Sequence, residues 1–166
     1  MKRLYLHSFK TSLGAFHSAA TSKGIVLIAL PGEKKRDFIR RANELFPDYA
    51  PVSGGNLNRR LEKQIREYLD GHRRKFTVPV VMTGTPFQQK VLRKVARIPY
   101  GRTRTYGEIA RAVGSPGSSR AVGSANARNN LPIVVPCHRV VAAHGLGGYG
   151  GGLNMKTTLL QLEGAY

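Results

Sequence analysis

The 166 residues carry 27 Lys and Arg against 9 Asp and Glu, a formal charge of +18. Such an excess repels itself across a compact fold, so a polyanion is its natural counterpart. The 41% hydrophobic content supplies a core for one domain or two small ones, and the longest apolar run, residues 25–30, is too short to span a bilayer. A single cysteine excludes an internal disulfide and a multi-cysteine zinc site; with no export signal over residues 1–10, it points to a reducing, cytoplasmic setting.

Taken in order, residues 2–9 alternate Leu4 and Leu6 against Arg3, Tyr5 and His7, which predicts a strand with one buried face. Residues 15–21 and 24–30 are two further strands joined by a hairpin-like turn, and the second, apolar on both faces, reads as a central strand. Residues 33–46 have helical spacing in Phe38, Ile39, Ala42, Leu45 and Phe46, and Pro47 closes that helix. A loop over 47–56 leads to a second helix, 57–69, whose outer face carries Arg59, Arg60, Lys63 and Arg66 and reads as solvated. Residues 1–75 are therefore expected to form a small α/β structural domain, 76–84 a connector and 85–166 a second domain. His7, His17 and His72 have no acidic or cysteine partner near them in the chain and read as structural or surface residues.

The second half becomes helical. Thr85-Pro86 starts a helix with proline at its first position, and Phe87, Val91, Leu92 and Val95 form its buried stripe. Thr105 and Glu108 have capping-box spacing at the entry of a helix over 106–113. A tight turn at 114–117 and a serine cap then open a third helix, 118–128, completing a helix-turn-helix pattern. That third helix is small-sided almost throughout, with Arg120 and Arg128. Small side chains allow tight helix packing or close approach to a narrow DNA groove, and the charge favours DNA.

The lone cysteine lies in Pro136-Cys137-His138-Arg139-Val140, after the apolar run 133–135. A free thiol is either a small buried hydrophobe or a nucleophile activated by a base or a positive field. Read as an extended segment, 136–140 would turn the Cys137 and His138 side chains to opposite faces. A water bridging them, with a carboxylate behind the imidazole, meets the geometry better. Beyond Glu108 the only acid is Glu163, in a predicted helix over 156–163. Residues 145–152 hold six glycines in eight without a phosphate-loop signature, so a planar substrate could slide against backbone there with Tyr149 as a wall.

These motifs together resemble the O6-alkylguanine-DNA alkyltransferases, the methylated-DNA–protein-cysteine methyltransferases. The likeness runs over residues 85–164: Thr85-Pro86-Phe87-Gln88, Ile98-Pro99-Tyr100-Gly101, Thr105-Tyr106, Ser119-Arg120-Ala121-Val122-Gly123, Asn129, Pro136-Cys137-His138-Arg139-Val140, the glycine-tyrosine loop and Leu162-Glu163-Gly164. The resemblance implies an α+β fold: a small N-terminal α/β domain with an antiparallel sheet, ribonuclease H-like in outline, and a C-terminal winged-helix-like domain bearing the helix-turn-helix. It implies direct-reversal DNA repair, in which Cys137 irreversibly takes the alkyl group from guanine O6 after the nucleotide is flipped out; O4-alkylthymine stays open as a second substrate. His138 is then the base acting through a water, Glu163 orients it, Asn129 braces the turn, and Tyr106 helps rotate the target phosphate and donates toward the guanine. Arg120 fills the hole left by the flipped nucleotide, with Ser119, Ala121, Gly123, Ala125, Arg128 and Tyr106 lying against the minor groove. Val140, Tyr149, Gly150 and Pro132 surround the base.

The family often has serine where Gly150 stands, and some relatives hold zinc through N-terminal cysteines that are absent here. No metal and no cofactor are therefore expected, and the partner is double-stranded DNA carrying O6-alkylguanine, bound by a monomer with no membrane contact. The alternative is a non-catalytic helix-turn-helix protein that binds alkylated DNA or regulates.

Overall fold

The computed structural model describes residues 1–166, which divide into two compact units, Met1–Met82 and Thr83–Tyr166. In the first unit the elements are β1 (Lys2–Thr11), β2 (Gly14–Ala20), β3 (Ile25–Ala29), α1 (Lys35–Leu45), β4 (Tyr49–Ser53) and α2 (Asn56–Leu69). The sheet order is β3-β2-β1-β4, antiparallel except for the parallel β1–β4 pair. Leu4, Ala19, Val26, Leu27 and Ala29 from the sheet and Phe38 and Ala42 from α1 form one buried cluster.

Two strands depart from the sequence expectation. β4 lies in the stretch expected as a loop: Pro51 signals a break, but β4 is an edge strand, where a residue without an N–H is tolerated. β3 is buried at every position yet sits at the sheet's other edge, not its centre. Its open side is covered by residues 79–81, through Ile25 N–H donating to Pro79 O at 2.9 Å and Val81 N–H donating to Ile25 O at 2.9 Å. Gly24 permits this close approach, because a Cβ there would stand 2.9 Å from the Pro79 carbonyl oxygen.

Residues 76–82, part of the expected connector, fall in the first unit. Gln64 of α2 holds them: its amide donates to Thr77 Oγ1 at 2.7 Å and its carbonyl accepts from the N–H groups of Thr77 and Val78 at 3.0 and 3.2 Å. The histidines also have partners that chain-local reading could not find. His7 Nε2 lies 2.6 Å from Glu62 Oε1, and His17 Nδ1 is 2.7 Å from Ser8 Oγ while its ring stacks on Phe38.

The second unit contains α3 (Pro86–Val95), β5 (Arg104–Thr105), α4 (Tyr106–Ala112), α5 (Ser119–Ala127), a single 3-10 turn (Cys137–Arg139), β6 (Val140–Val141) and α6 (Leu153–Leu162). Thr85 with Gln88 and Thr105 with Glu108 close complete capping boxes on α3 and α4. Ser118 does not cap α5 with its side chain; its hydroxyl pairs with Ser115 Oγ at 2.7 Å and tightens the turn instead. Buried Val91, Leu92, Val95, Ile109, Ala110, Val113, Val122 and Ala125 fill the space among α3, α4 and α5. No helix is long and apolar enough to cross a membrane.

Asn58, fully buried in α2, accepts from Ser18 Oγ at 2.8 Å and donates to Tyr5 O at 2.9 Å and Gly54 O at 2.8 Å. Removing the amide strands a hydroxyl and two carbonyls, so Asn58→Ala should cost about 2–4 kcal/mol, read from the urea midpoint at unchanged m-value.

Candidate active site

The site is built from the segment after α5. Ile133 sits at φ 73°, a left-handed conformation that a β-branched residue adopts only when its surroundings impose it. They do so here: Ile133 is 2% exposed, and Val135 N–H donates to Leu131 O at 2.8 Å across it. Asn129 staples the same bend, its amide donating to Val135 O at 2.8 Å and its carbonyl accepting from Leu131 N–H at 2.9 Å. Asn130 adds a bond from its amide to Thr83 Oγ1 at 3.1 Å.

The bend delivers Cys137 into a helical turn rather than the extended segment expected, because Arg139 N–H closes back on Pro136 O at 2.9 Å. Cys137 is 5% exposed, and burial raises its thiol pKa above the ordinary value, opposed by an Asn129 hydrogen bond and the Lys156 charge. The resting side chain is therefore a neutral thiol. His138 follows, fully buried, with Nε2 2.8 Å from Glu163 Oε2. A carboxylate only accepts, so Nε2 carries the hydrogen and Nδ1 presents a lone pair. Nδ1 is buried and has no partner. Burial lowers the His138 pKa and outweighs the opposing pull of Glu163, so the ring is neutral at pH 7 and able to accept a proton.

Glu163 serves a second group that the sequence reading left without a role. Arg139 Nε and an η nitrogen donate to its two oxygens at 2.8 and 2.9 Å, the other η nitrogen donates to Ile98 O at 2.7 Å, and the guanidinium lies 5.8 Å from the Tyr100 ring centroid. Lys156 is a second such residue, fully buried with Nζ donating to Val140 O at 2.6 Å, Leu146 O at 2.5 Å and Gly148 O at 3.0 Å. Both were hidden because nothing in the chain distinguishes a buried cation from a surface one.

Tyr106, first residue of α4, is half-buried, with its oxygen bonded to the Gly148 backbone and its pKa raised by burial. The Tyr149 ring stands edge-on to that of His138, 6.4 Å between centroids; its hydroxyl is buried without a partner, and burial holds its pKa well above the ordinary phenol value. Pro132 and Val140 are buried beside the turn, while Gly150 is exposed with open space where a Cβ would stand.

Helix α5 sorts its residues by its own period. Val122, Ala125 and Asn126 point inward, and Asn126 donates to Cys137 O at 3.2 Å, tying the helix to the thiol turn. Ala125, expected against DNA, is a core residue at 2% exposure, and a Cβ on Gly123 would stand 3.8 Å from the Tyr106 ring. Ser119, Arg120, Ala121 and Arg128 are exposed, joined by Ser124 and Ala127, which the sequence reading did not single out.

A thiol beside an imidazole whose far nitrogen is fixed by a carboxylate, carried on a helix-turn-helix unit, defines a cysteine nucleophile on a DNA-binding scaffold. Residues 86–165 match the family model described as 6-O-methylguanine DNA methyltransferase, DNA binding domain. A methylated-DNA–protein-cysteine methyltransferase of Methanosarcina acetivorans is 40% identical over 164 residues, 98% of this chain and 99% of that protein. One of Mycobacterium leprae is 55% identical over 101 residues, an alignment spanning 60% of this chain and 61% of the relative. The crystal structure of Mycobacterium tuberculosis OGT in complex with DNA superposes with a TM-score of 0.82 at 36% identity, covering 96% of this chain and 92% of that one. The chain belongs to the methylated-DNA–protein-cysteine methyltransferase family.

Arg139→Met should leave Glu163 and Ile98 O short of donors and cost about 2–4 kcal/mol, seen as a lower urea midpoint. The Arg139 charge also lowers the His138 pKa, so an NMR titration of the imidazole should move upward in the variant.

Proposed function

We propose that the protein repairs alkylated DNA by moving the alkyl group from guanine O6 onto Cys137, once per molecule. The observation that carries this is the His138 ring: Nε2 is locked to Glu163 and the buried Nδ1 is free to take a proton. With the lesion in place, the Cys137 proton passes through a water to Nδ1, and Glu163 stabilises the imidazolium. Sγ attacks the alkyl carbon, the S–C bond forms as the C–O6 bond breaks, and the electron pair leaves on the purine. The proton taken from the thiol is returned to the base, so thiol and O6-alkylguanine become thioether and guanine. No water is consumed and nothing regenerates the thiol.

Because burial keeps Tyr106 protonated, its hydroxyl is a donor to the leaving base, which lowers the barrier as negative charge develops there. Pro132, Val140, Tyr149 and Gly150 line the base's place. Exposed Arg120 at the start of α5 is suited to occupy the stack vacated by the flipped nucleotide. The small exposed stripe of Ala121, Ser124 and Ala127 lets the helix backbone sink into the minor groove, with Ser119 and Arg128 on the phosphates. The protein acts as a monomer on duplex DNA in the cytoplasm, where its thiol stays reduced.

Incubation with a duplex containing one O6-methylguanine should add one methyl to Cys137 by intact mass and peptide mapping. Cys137→Ser should bind the duplex and transfer nothing; an unmodified Cys137 in the wild type would instead mark a lesion-binding protein. The transfer rate should fall as pH drops and His138 gains its proton, with a midpoint below the ordinary imidazole value of 6.5. Gly150→Ser meets no neighbour within 4 Å and should raise the rate by about 3- to 10-fold, the worth of one added hydrogen bond to the leaving base.

A further inference from the structure

Lys156 is the one buried charged side chain with no carboxylate beside it among its hydrogen-bond partners. An ammonium has three N–H donors, and each is committed to a backbone carbonyl. The three carbonyls come from places far apart in function. Val140 O belongs to β6, the exit of the thiol turn, while Leu146 O and Gly148 O belong to the glycine-rich loop.

That loop bears on Tyr106. A Cβ on Gly147, which sits at φ +73°, would stand 2.7 Å from the Tyr106 hydroxyl oxygen, and the Gly148 backbone is hydrogen-bonded to the same oxygen. β6 is also linked to Tyr106, because it pairs with β5, whose Thr105 caps the helix that Tyr106 begins. Six glycines in eight residues give this loop little rigidity of its own, so its fixed conformation needs an external anchor.

We propose that Lys156 is the positioning residue of the lesion pocket: its ammonium fastens the glycine loop to the exit of the thiol turn and thereby sets Tyr106 for the flipped base. The inference rests on the alkyl-transfer reading for its consequence in rate, but the clamp itself is a property of the folded chain. A neutral amine offers only two N–H groups, so deprotonation releases at least one carbonyl and loosens the wall. Burial lowers the Lys156 pKa to about 8, which puts that loosening within reach of mild alkali. The titratable groups around it are the Cys137 thiol and His138 on the turn, which feel its charge, and the Tyr106 and Tyr149 phenols, which burial keeps protonated. Arg139 and Glu163 are bonded to each other and act, like Lys156, on His138.

The test compares two rates on the full chain. Iodoacetamide reports the thiolate alone; the free base O6-benzylguanine, whose benzylic carbon is activated for displacement, needs the thiolate and the pocket. Their ratio cancels the ionisation of Cys137. In the wild type the ratio should fall about tenfold as pH rises from about 7 to 9, and in Lys156→Met it should be about tenfold low at pH 7 and flat, the expected loss for a charge-assisted hydrogen bond. Amide exchange at Gly148, corrected for intrinsic pH dependence, should speed up in parallel. A flat wild-type ratio, or a Met variant that loses both rates together, would overturn the proposal. The wild-type series needs no variant, so a Lys156→Met protein that fails to fold does not spare the idea. If Cys137 takes no benzyl group at any pH while Gly148 exchange still responds, the clamp stands and the alkyl-transfer reading falls. Unresponsive exchange with normal transfer sinks the clamp alone.

Discussion

The second unit is arranged around one buried carboxylate. Glu163 accepts from His138 Nε2 and twice from Arg139, with the Gly101 N–H 3.5 Å away, and its side chain has no exposed surface. An ion taken out of water costs several kcal/mol unless its oxygens are fully paired, so a lone histidine would be a poor host. The bidentate guanidinium offsets that cost and leaves the carboxylate free to orient the imidazole without surrendering its charge to it. The balance is visible at His138: desolvation and the neighbouring cations win over Glu163, and the ring stays neutral. The Arg139–Glu163 pair thus holds the ring in place without charging it, the state that the proposed proton transfer from the thiol requires.

The surrounding bonds tie the helix-turn-helix to the thiol turn. Asn126 on α5 donates to Cys137 O, Asn129 fixes the strained bend at Ile133, and β6 leaves the thiol turn to pair with β5, whose Thr105 starts α4. Both helices of the helix-turn-helix are thus hydrogen-bonded, or linked through the β5–β6 pair, to the turn that carries Cys137. Displacing α5 by an ångström would displace Sγ with it, and the proposed transfer depends on placement of that order.

Much of this was legible in the chain because its signals are local. Capping spacings at Thr85 and Thr105, the apolar stripes of the helices and the Pro136–Val140 block each state themselves within a handful of residues. What the chain concealed depends on three-dimensional closure. β4 carries a proline that only an edge position excuses, and β3 looks central because residues 79–81 cover its edge. Arg139 and Lys156 add to a count of 27 cations and give no sign that they are buried. Ala125 was misplaced because a helix of small residues has too little contrast to show which side faces inward, whereas the packed structure chooses Val122, Ala125 and Asn126.

The charge distribution is explained by the same closure. Residues 83–166 contain eleven Lys and Arg but only Glu108 and Glu163 as acids. Neither acid opposes a polyanion freely. Glu163 is buried between His138 and Arg139, and Glu108 bonds the Thr105 N–H in the capping box with Arg104 and Arg111 near enough to lower its pKa. The second unit has therefore kept only those carboxylates that its own architecture consumes, one to start a helix and one to hold the His138 ring. Nearly all its remaining cations are left to face outward, which is the electrostatic condition for bringing a phosphate backbone to within reach of a thiol that is itself only 5% exposed.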